Sequence, residues 1–123
     1  MRPFSYVRTA DPGTAIALVR ERPDSAFLAG GTTEVDLVRQ GVLRPGLLVD
    51  ISDLPLNLIE DLPDGGLRIG ALARMSDVAR AAGVMERFPV ISQALVLGAS
   101  AQLRNMASKI GRASCRERVF RRV

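Results

Sequence analysis

Phe27-Leu28-Ala29-Gly30-Gly31-Thr32-Thr33-Glu34 is the stretch on which the reading of the fold turns. Ser25-Ala26-Phe27-Leu28 reads as a strand, and it runs straight into two glycines and two threonines. Residues 34–40 then place Val35, Leu37 and Val38 among polar neighbours, which predicts a short helix. Gly41 follows where a left-handed residue is favoured. A strand that turns through glycines into a helix is the joint of an α/β unit. Glycines there let the backbone turn sharply and bring amide N–H groups close to a ligand. Thr32 and Thr33 add hydroxyl donors and a candidate N-cap. The start of a helix favours negative charge, so the joint suits a phosphate or pyrophosphate. The same residues also suit a plain strand-to-helix turn. The pattern is neither G-x-G-x-x-G nor a Walker loop, which argues against a nicotinamide Rossmann site.

The pattern continues on both sides of the joint. Phe4-Ser5-Tyr6-Val7 alternates as a short strand does. Asp11-Pro12 supplies an N-cap and a first helical residue, and Ala15, Leu18, Val19 and Arg22 follow at helical spacing until Pro23 stops them. Leu47-Leu48-Val49-Asp50-Ile51 is a near-continuous apolar run, the mark of a strand buried on both faces. Residues 57–61 and 67–70 flank Pro63-Asp64-Gly65-Gly66, which predicts a hairpin with a longer turn. Ser76 is expected to cap a helix over 77–82 ended by Gly83. Pro89 is expected to start another, with Val90, Ile91, Ala94, Leu95 and Val96 as its buried stripe, broken at Gly98-Ala99-Ser100. Residues 98–108 then surround Gln102, Arg104 and Asn105 with small residues. That stretch could approach a flat ligand, or it could be a polar loop whose Arg and Asn satisfy backbone carbonyls. Asp36, Asp50, Asp53, Glu60 and Asp77 form no pair at a spacing suited to acid–base work, so they read as caps or solvated groups. Met75, Met85 and Met106 read as core fillers.

The chain has 123 residues, room for one domain, and 47% of them are apolar. No run reaches the roughly 18 to 20 apolar residues that a membrane span needs, and no secretory signal is visible. With no histidine and one cysteine, His-based triads, His-ligated metals and multi-cysteine metal sites are excluded, and no metal site is expected. A reducing, cytoplasmic compartment fits this composition. The net charge of +4 is unevenly spread: residues 1–108 sum to −1, and residues 109–123 to +5. A near-neutral body and five aromatics in the whole chain argue against nucleic-acid binding.

A family resemblance joins these segments. Phe4-Ser5-Tyr6, residues 27–33, Leu48-Val49-Asp50-Ile51, Leu67-Arg68-Ile69-Gly70-Ala71-Leu72 and Gln102-Leu103-Arg104-Asn105-Met106-Ala107 occur in the order found in one family. Residues 1–108 resemble the N-terminal part of the FAD-binding (medium) subunit of molybdenum hydroxylases. These include the xanthine dehydrogenase, aldehyde oxidoreductase and carbon monoxide dehydrogenase types. The resemblance implies the first subdomain of a two-part α/β (α+β) FAD-binding domain of the PCMH, or vanillyl-alcohol-oxidase, type. It implies FAD as cofactor, held at Phe27, Leu28, Ala29, Gly30, Gly31, Thr32, Thr33 and Glu34, with Ser108 opening a second flavin loop. No catalytic side chain is implied, because the redox chemistry belongs to the flavin. The implied role is an oxidoreductase subunit that passes electrons from iron–sulfur clusters to FAD and an external acceptor. Its implied partners are a molybdenum-cofactor subunit and an iron–sulfur subunit, and a partner's signal would allow a periplasmic location. A single-chain flavin oxidase or reductase of the same superfold stays open, as does a non-catalytic α/β interaction module.

The resemblance breaks after Ser108. The family continues with a second glycine and an asparagine, and Lys109-Ile110-Gly111-Arg112-Ala113 lacks both. Residues 110–119 look like a translated sequencing adapter, and the only Lys and only Cys of the chain lie in this tail. The expectation is a native segment over 1–108 and a non-native tail over 109–123, with a fragment inactive by itself.

Overall fold

A computed structural model describes residues 2–108, so the expected tail, residues 109–123, lies outside the described residues. The chain divides into two units, the first ending at Pro55 and the second beginning at Leu56.

The first unit alternates strand and helix: β1 (Ser5–Arg8), α1 (Pro12–Glu21), β2 (Ser25–Leu28), α2 (Glu34–Arg39) and β3 (Leu47–Asp50). The strands form one parallel sheet in the order β1-β3-β2. The apolar run therefore occupies the centre, and every residue of β3 is buried, with Val49 fully enclosed. Ala15 of α1 and Val38 of α2 bury in the same unit, with Ile51 and Leu54 beyond β3. α1 starts as its sequence dictates. Asp11 is its N-cap, with Oδ2 accepting from the Thr14 amide at 2.6 Å and the Thr14 hydroxyl at 2.7 Å, and Pro12 opens the helix. Gly41 adopts φ 74° after α2, the left-handed conformation expected there.

The second unit begins with an antiparallel hairpin, β4 (Ile59–Asp61) and β5 (Leu67–Ile69). Four short helices follow: α3 (Met75–Arg80), α4 (Ala82–Arg87), α5 (Pro89–Leu97) and α6 (Ala101–Met106). Their core is Ala73, Met75, Val78, Ala79, Val84 and Leu95, against which Ile59, Leu67 and Ile69 of the hairpin pack.

Several expectations for this unit are corrected. Ser76 does not cap a helix: it is buried inside α3, whose N-cap is Arg74. α3 starts earlier because the Met75 amide donates to Ala107 O at 2.9 Å, a partner that local pattern does not reveal. Gly83 lies within α4 rather than ending a helix. Residues 101–106 are helical, with the Ser100 hydroxyl accepting from the Leu103 amide. Met75 fills the core as expected, whereas Met85 and Met106 are exposed.

The expected stripe of α5 fails too, since Leu95 is its one buried residue. Val90 is 75% exposed and Leu97 86%, with Val96, Leu103 and Met106 also open. Apolar surface of this kind favours association. The 123-residue chain is therefore expected to self-associate, and Val90→Lys with Leu97→Lys to raise the monomer fraction in light scattering. Folding stability should stay within about 0.5 kcal/mol, as for ordinary surface substitutions. Undiminished association in the double variant would count against this face. No helix among the described residues is long and apolar enough to cross a membrane.

Candidate functional site

The three strands of the first unit run the same way, so Arg8, Leu28 and Asp50 all arrive at the C-terminal edge of the sheet. Ligands of open parallel sheets sit at that edge. The glycine joint leaves from it: the Ile51 amide donates to Leu28 O at 2.9 Å, and the chain then turns through residues 29–33 into α2.

Within the turn the two glycines differ. Gly31 has φ 71°, a conformation that side-chain-bearing residues rarely adopt, while Gly30 does not have a positive φ. A Cβ on Gly31 would also lie 3.1 Å from Val35 Cγ2 and 3.5 Å from Leu28 Cδ1. The carbonyls of Gly31 and Thr33 accept from the Val35 and Leu37 amides, each at 3.0 Å. The amides of residues 30–34, by contrast, donate to no backbone carbonyl among the described residues. Thr33 occupies the N-cap of α2, but its side chain makes no capping bond. The joint thus gathers uncommitted donors, which is what a phosphate needs.

The electrostatics around these donors run the other way. α2 has six residues and carries Glu34 and Asp36 in its first turn, which offset the positive end of so short a helix. Burial raises the Glu34 carboxyl above its ordinary value. The donors this joint offers are therefore individual amides and hydroxyls, with little contribution from a helix dipole. Phe27 is exposed, and Leu28, Ala29, Gly30, Gly31 and Thr32 are half-buried.

The most constrained side chain at the edge is one that pattern reading treated as a cap or solvated group. Asp50 is 4% exposed. Its Oδ2 accepts from the Tyr6 hydroxyl and from Arg8 Nε at 2.9 Å, and Arg8 NH2 lies at 2.9 Å. Its Oδ1 accepts from the Ser52 amide at 2.9 Å and the Ser52 hydroxyl at 2.6 Å. Burial alone would raise this carboxyl, but the bonds from Ser52, Tyr6 and Arg8 outweigh it and hold it well below the usual carboxylate range. A carboxylate so fully satisfied is a structural anchor and not a general base. The signal for it was present: one acid in an apolar strand, with Tyr6 and Arg8 two residues apart in the neighbouring one.

Ser108 belongs to the second unit. It is buried and pairs with Arg74 in an isolated antiparallel bridge. Arg104 of the same motif donates through NH1 to Val96 O at 2.7 Å and to Ala99 O. It closes the C-terminal end of α5, so the expectation that this arginine satisfies carbonyls holds, though from a helix and not a loop.

Comparison with known proteins now decides the family. Residues 2–116 match the family described as the FAD binding domain in molybdopterin dehydrogenase. The chain belongs to this family. Among curated proteins it is similar to the aldehyde oxidoreductase FAD-binding subunit PaoB of Escherichia coli K12, 41% identical over 90% of this chain and 35% of that protein. It is 30% identical to the glyceraldehyde dehydrogenase medium chain of Sulfolobus acidocaldarius, over 85% of this chain and 37% of that one. Among solved structures, carbon monoxide dehydrogenase from Hydrogenophaga pseudoflava matches with TM-score 0.83 and 30% identity, over 90% of this chain and 40% of its own. Reconstituted CO dehydrogenase from Oligotropha carboxidovorans matches with TM-score 0.85 and 26% identity, over 92% and 40%. The chain thus spans roughly a third of the length of these curated relatives. The expected mixed α/β class and the molybdenum hydroxylase family are both borne out.

Proposed function

We propose that this chain is the first part of an FAD-binding subunit of a molybdenum hydroxylase complex, and that residues 29–33 receive the FAD pyrophosphate. The observation that carries the proposal is the joint itself. Uncommitted amides of residues 30–34 stand beside a left-handed Gly31 at the C-terminal edge of a parallel sheet. In a member of an FAD-binding family, these are the donors that fit a diphosphate. FAD, when bound, supplies the redox chemistry. The chain's own residues would bind and orient it: amides and threonine hydroxyls on the phosphates, with Phe27, Leu28 and Glu34 around the loop and Ser108 opening the second flavin loop.

In this reading the parent subunit relays electrons from the iron–sulfur clusters of one partner to an external acceptor, and a molybdenum-cofactor partner transforms the substrate. The complex works in the cytoplasm, or in the periplasm if a partner carries the signal. The chain alone is inactive. Residues 109–123 are taken as lying outside the evolved domain, on the charge change and the adapter-like run. Sequencing through the parental gene tests that boundary, and a gene that continues through the same tail removes it. The functional reading is tested by purifying the full-length subunit from its native host. Flavin absorbance with co-purifying molybdenum and iron is expected. A colourless protein, or a flavoprotein without either metal, overturns the complex.

A further inference from the structure

The opposite edge of the first-unit sheet carries a second feature. Residues that precede β1 and β3 meet the end of α2 there and line a half-open cavity of about 230 Å³. Val38, Leu43 and Pro45 give it apolar surface, Phe4 adds an aromatic ring, and Arg2 and Arg44 supply the charges of its lining. Gly41 also borders it, and a Cβ built there would meet nothing within 4 Å, so this side stays open.

Two arginines of this lining have no carboxylate partner among the described residues. Among those residues neither Arg2 nor Arg44 forms an ion pair, as is also true of Arg20, Arg39, Arg74, Arg80 and Arg104, whereas Arg8, Arg22, Arg68 and Arg87 pair with carboxylates. Asp24, the acid near Pro45, lies against Gly46 and pairs with Arg22 at 3.8 Å instead. Arg44, itself exposed, makes one local contact: its Nε donates to Gly41 O at 3.0 Å. A guanidinium bonded through Nε still has its terminal N–H groups for a second partner. The cavity is smaller than the roughly 300–1,000 Å³ of drug-sized sites. It has room for a single ring or a short chain.

We propose that this cavity binds a small monocarboxylate with an apolar body, of the size of benzoate. The body would pack on Phe4, Val38 and Leu43, and the carboxylate would take hydrogen bonds from Arg2 and Arg44. The site is separate from the glycine joint and does not depend on the flavin reading.

Benzoate, benzamide and benzylammonium titrated into the 123-residue chain at low salt, followed by ligand-observed NMR, test this directly. Benzoate should saturate with a Kd on the order of 1 mM. The neutral and cationic isosteres should bind at least about tenfold more weakly, the loss expected when a charge-assisted bond is removed. Arg44→Gln should weaken benzoate by about the same factor, and Arg68→Gln, on β5, should not. Arg2→Gln provides the same reading if the Arg44 variant fails a circular dichroism check of folding. Equal binding of benzoate and benzamide overturns the proposal. So does full benzoate affinity in a folded Arg44 or Arg2 variant, or the absence of saturation.

Discussion

Asp50→Ala is expected to lower the stability of the first unit by about 2 kcal/mol, the loss of a buried carboxylate's charge-assisted hydrogen bonds to half-exposed partners. The loss has two parts. The hydrogen-bonding contacts to the carboxylate from Tyr6, Arg8 and Ser52 disappear. A cavity then remains at the end of a strand that is buried along its whole length, while the half-exposed Tyr6 and Arg8 turn their donors to water. Asp53→Ala is the control, because Asp53 is half exposed and only a 3.7 Å contact with Arg8 Nε is lost. That change should stay within about 0.5 kcal/mol. Tyr6 is the only tyrosine and the chain has no tryptophan, so intrinsic fluorescence during urea unfolding reports on this cluster. A stability loss below that of Asp53→Ala would show that the network is incidental.

The same cluster fixes a pH dependence. The folded Asp50 carboxyl titrates below its unfolded value. Its contribution is therefore complete above about pH 4, the ordinary carboxylate value, and is lost as pH falls toward the folded value. Tyr6 acts at the other end. Its bond to Asp50, with burial, raises the phenol above 10.0. Its contribution is complete below about pH 10 and is lost as pH rises through the folded value. Asp50→Asn should flatten the acid arm of the stability curve and move the Tyr6 titration down toward its ordinary value. An unchanged phenol titration in that variant would contradict the assigned hydrogen bond.

The parts of the fold that were legible in the sequence are those determined by nearest neighbours. Asp11-Pro12 specifies its own helix start, and the cap bond to Thr14 lies within one turn. The run at 47–50 is buried because apolar residues on both faces admit no other position than the sheet centre. Pro63-Asp64-Gly65-Gly66 closes its hairpin through bonds within the turn, Leu62 N to Gly66 O and Gly66 N to Asp64 Oδ1. What escaped depends on distant partners. The start of α3 is set by Ala107, far along the chain. Asp50 acquires its character from Tyr6 and Arg8, which lie 44 and 42 residues earlier. The apolar periodicity of α5 predicts a buried stripe, yet the described residues cover Leu95 alone. At the candidate site, the glycines and their strand were visible, but the difference between Gly30 and Gly31 is a backbone angle that composition does not encode.

That difference governs the second large effect. Gly31→Val in the full-length subunit is expected to lose flavin, but the structure adds a folding cost to the binding cost. A left-handed backbone costs an ordinary residue about 1–2 kcal/mol, and valine's branched side chain tolerates it least. The new Cβ would also press on Val35 Cγ2 at 3.1 Å. Flavin loss in this variant alone is therefore ambiguous between a displaced loop and a blocked one. Gly31→Asn separates the two, because asparagine enters the left-handed region readily and keeps the turn while still placing a side chain there. If the diphosphate depends on close approach to the amides of residues 30–34, the Gly31→Asn subunit keeps its fold. It then binds FAD at least about a hundredfold more weakly, the loss of one or two charge-assisted hydrogen bonds. Circular dichroism and retained flavin on gel filtration measure the two quantities independently. A folded Gly31→Asn subunit with full flavin occupancy would place the pyrophosphate elsewhere. It would leave the joint as a strand-to-helix turn whose glycine serves geometry alone.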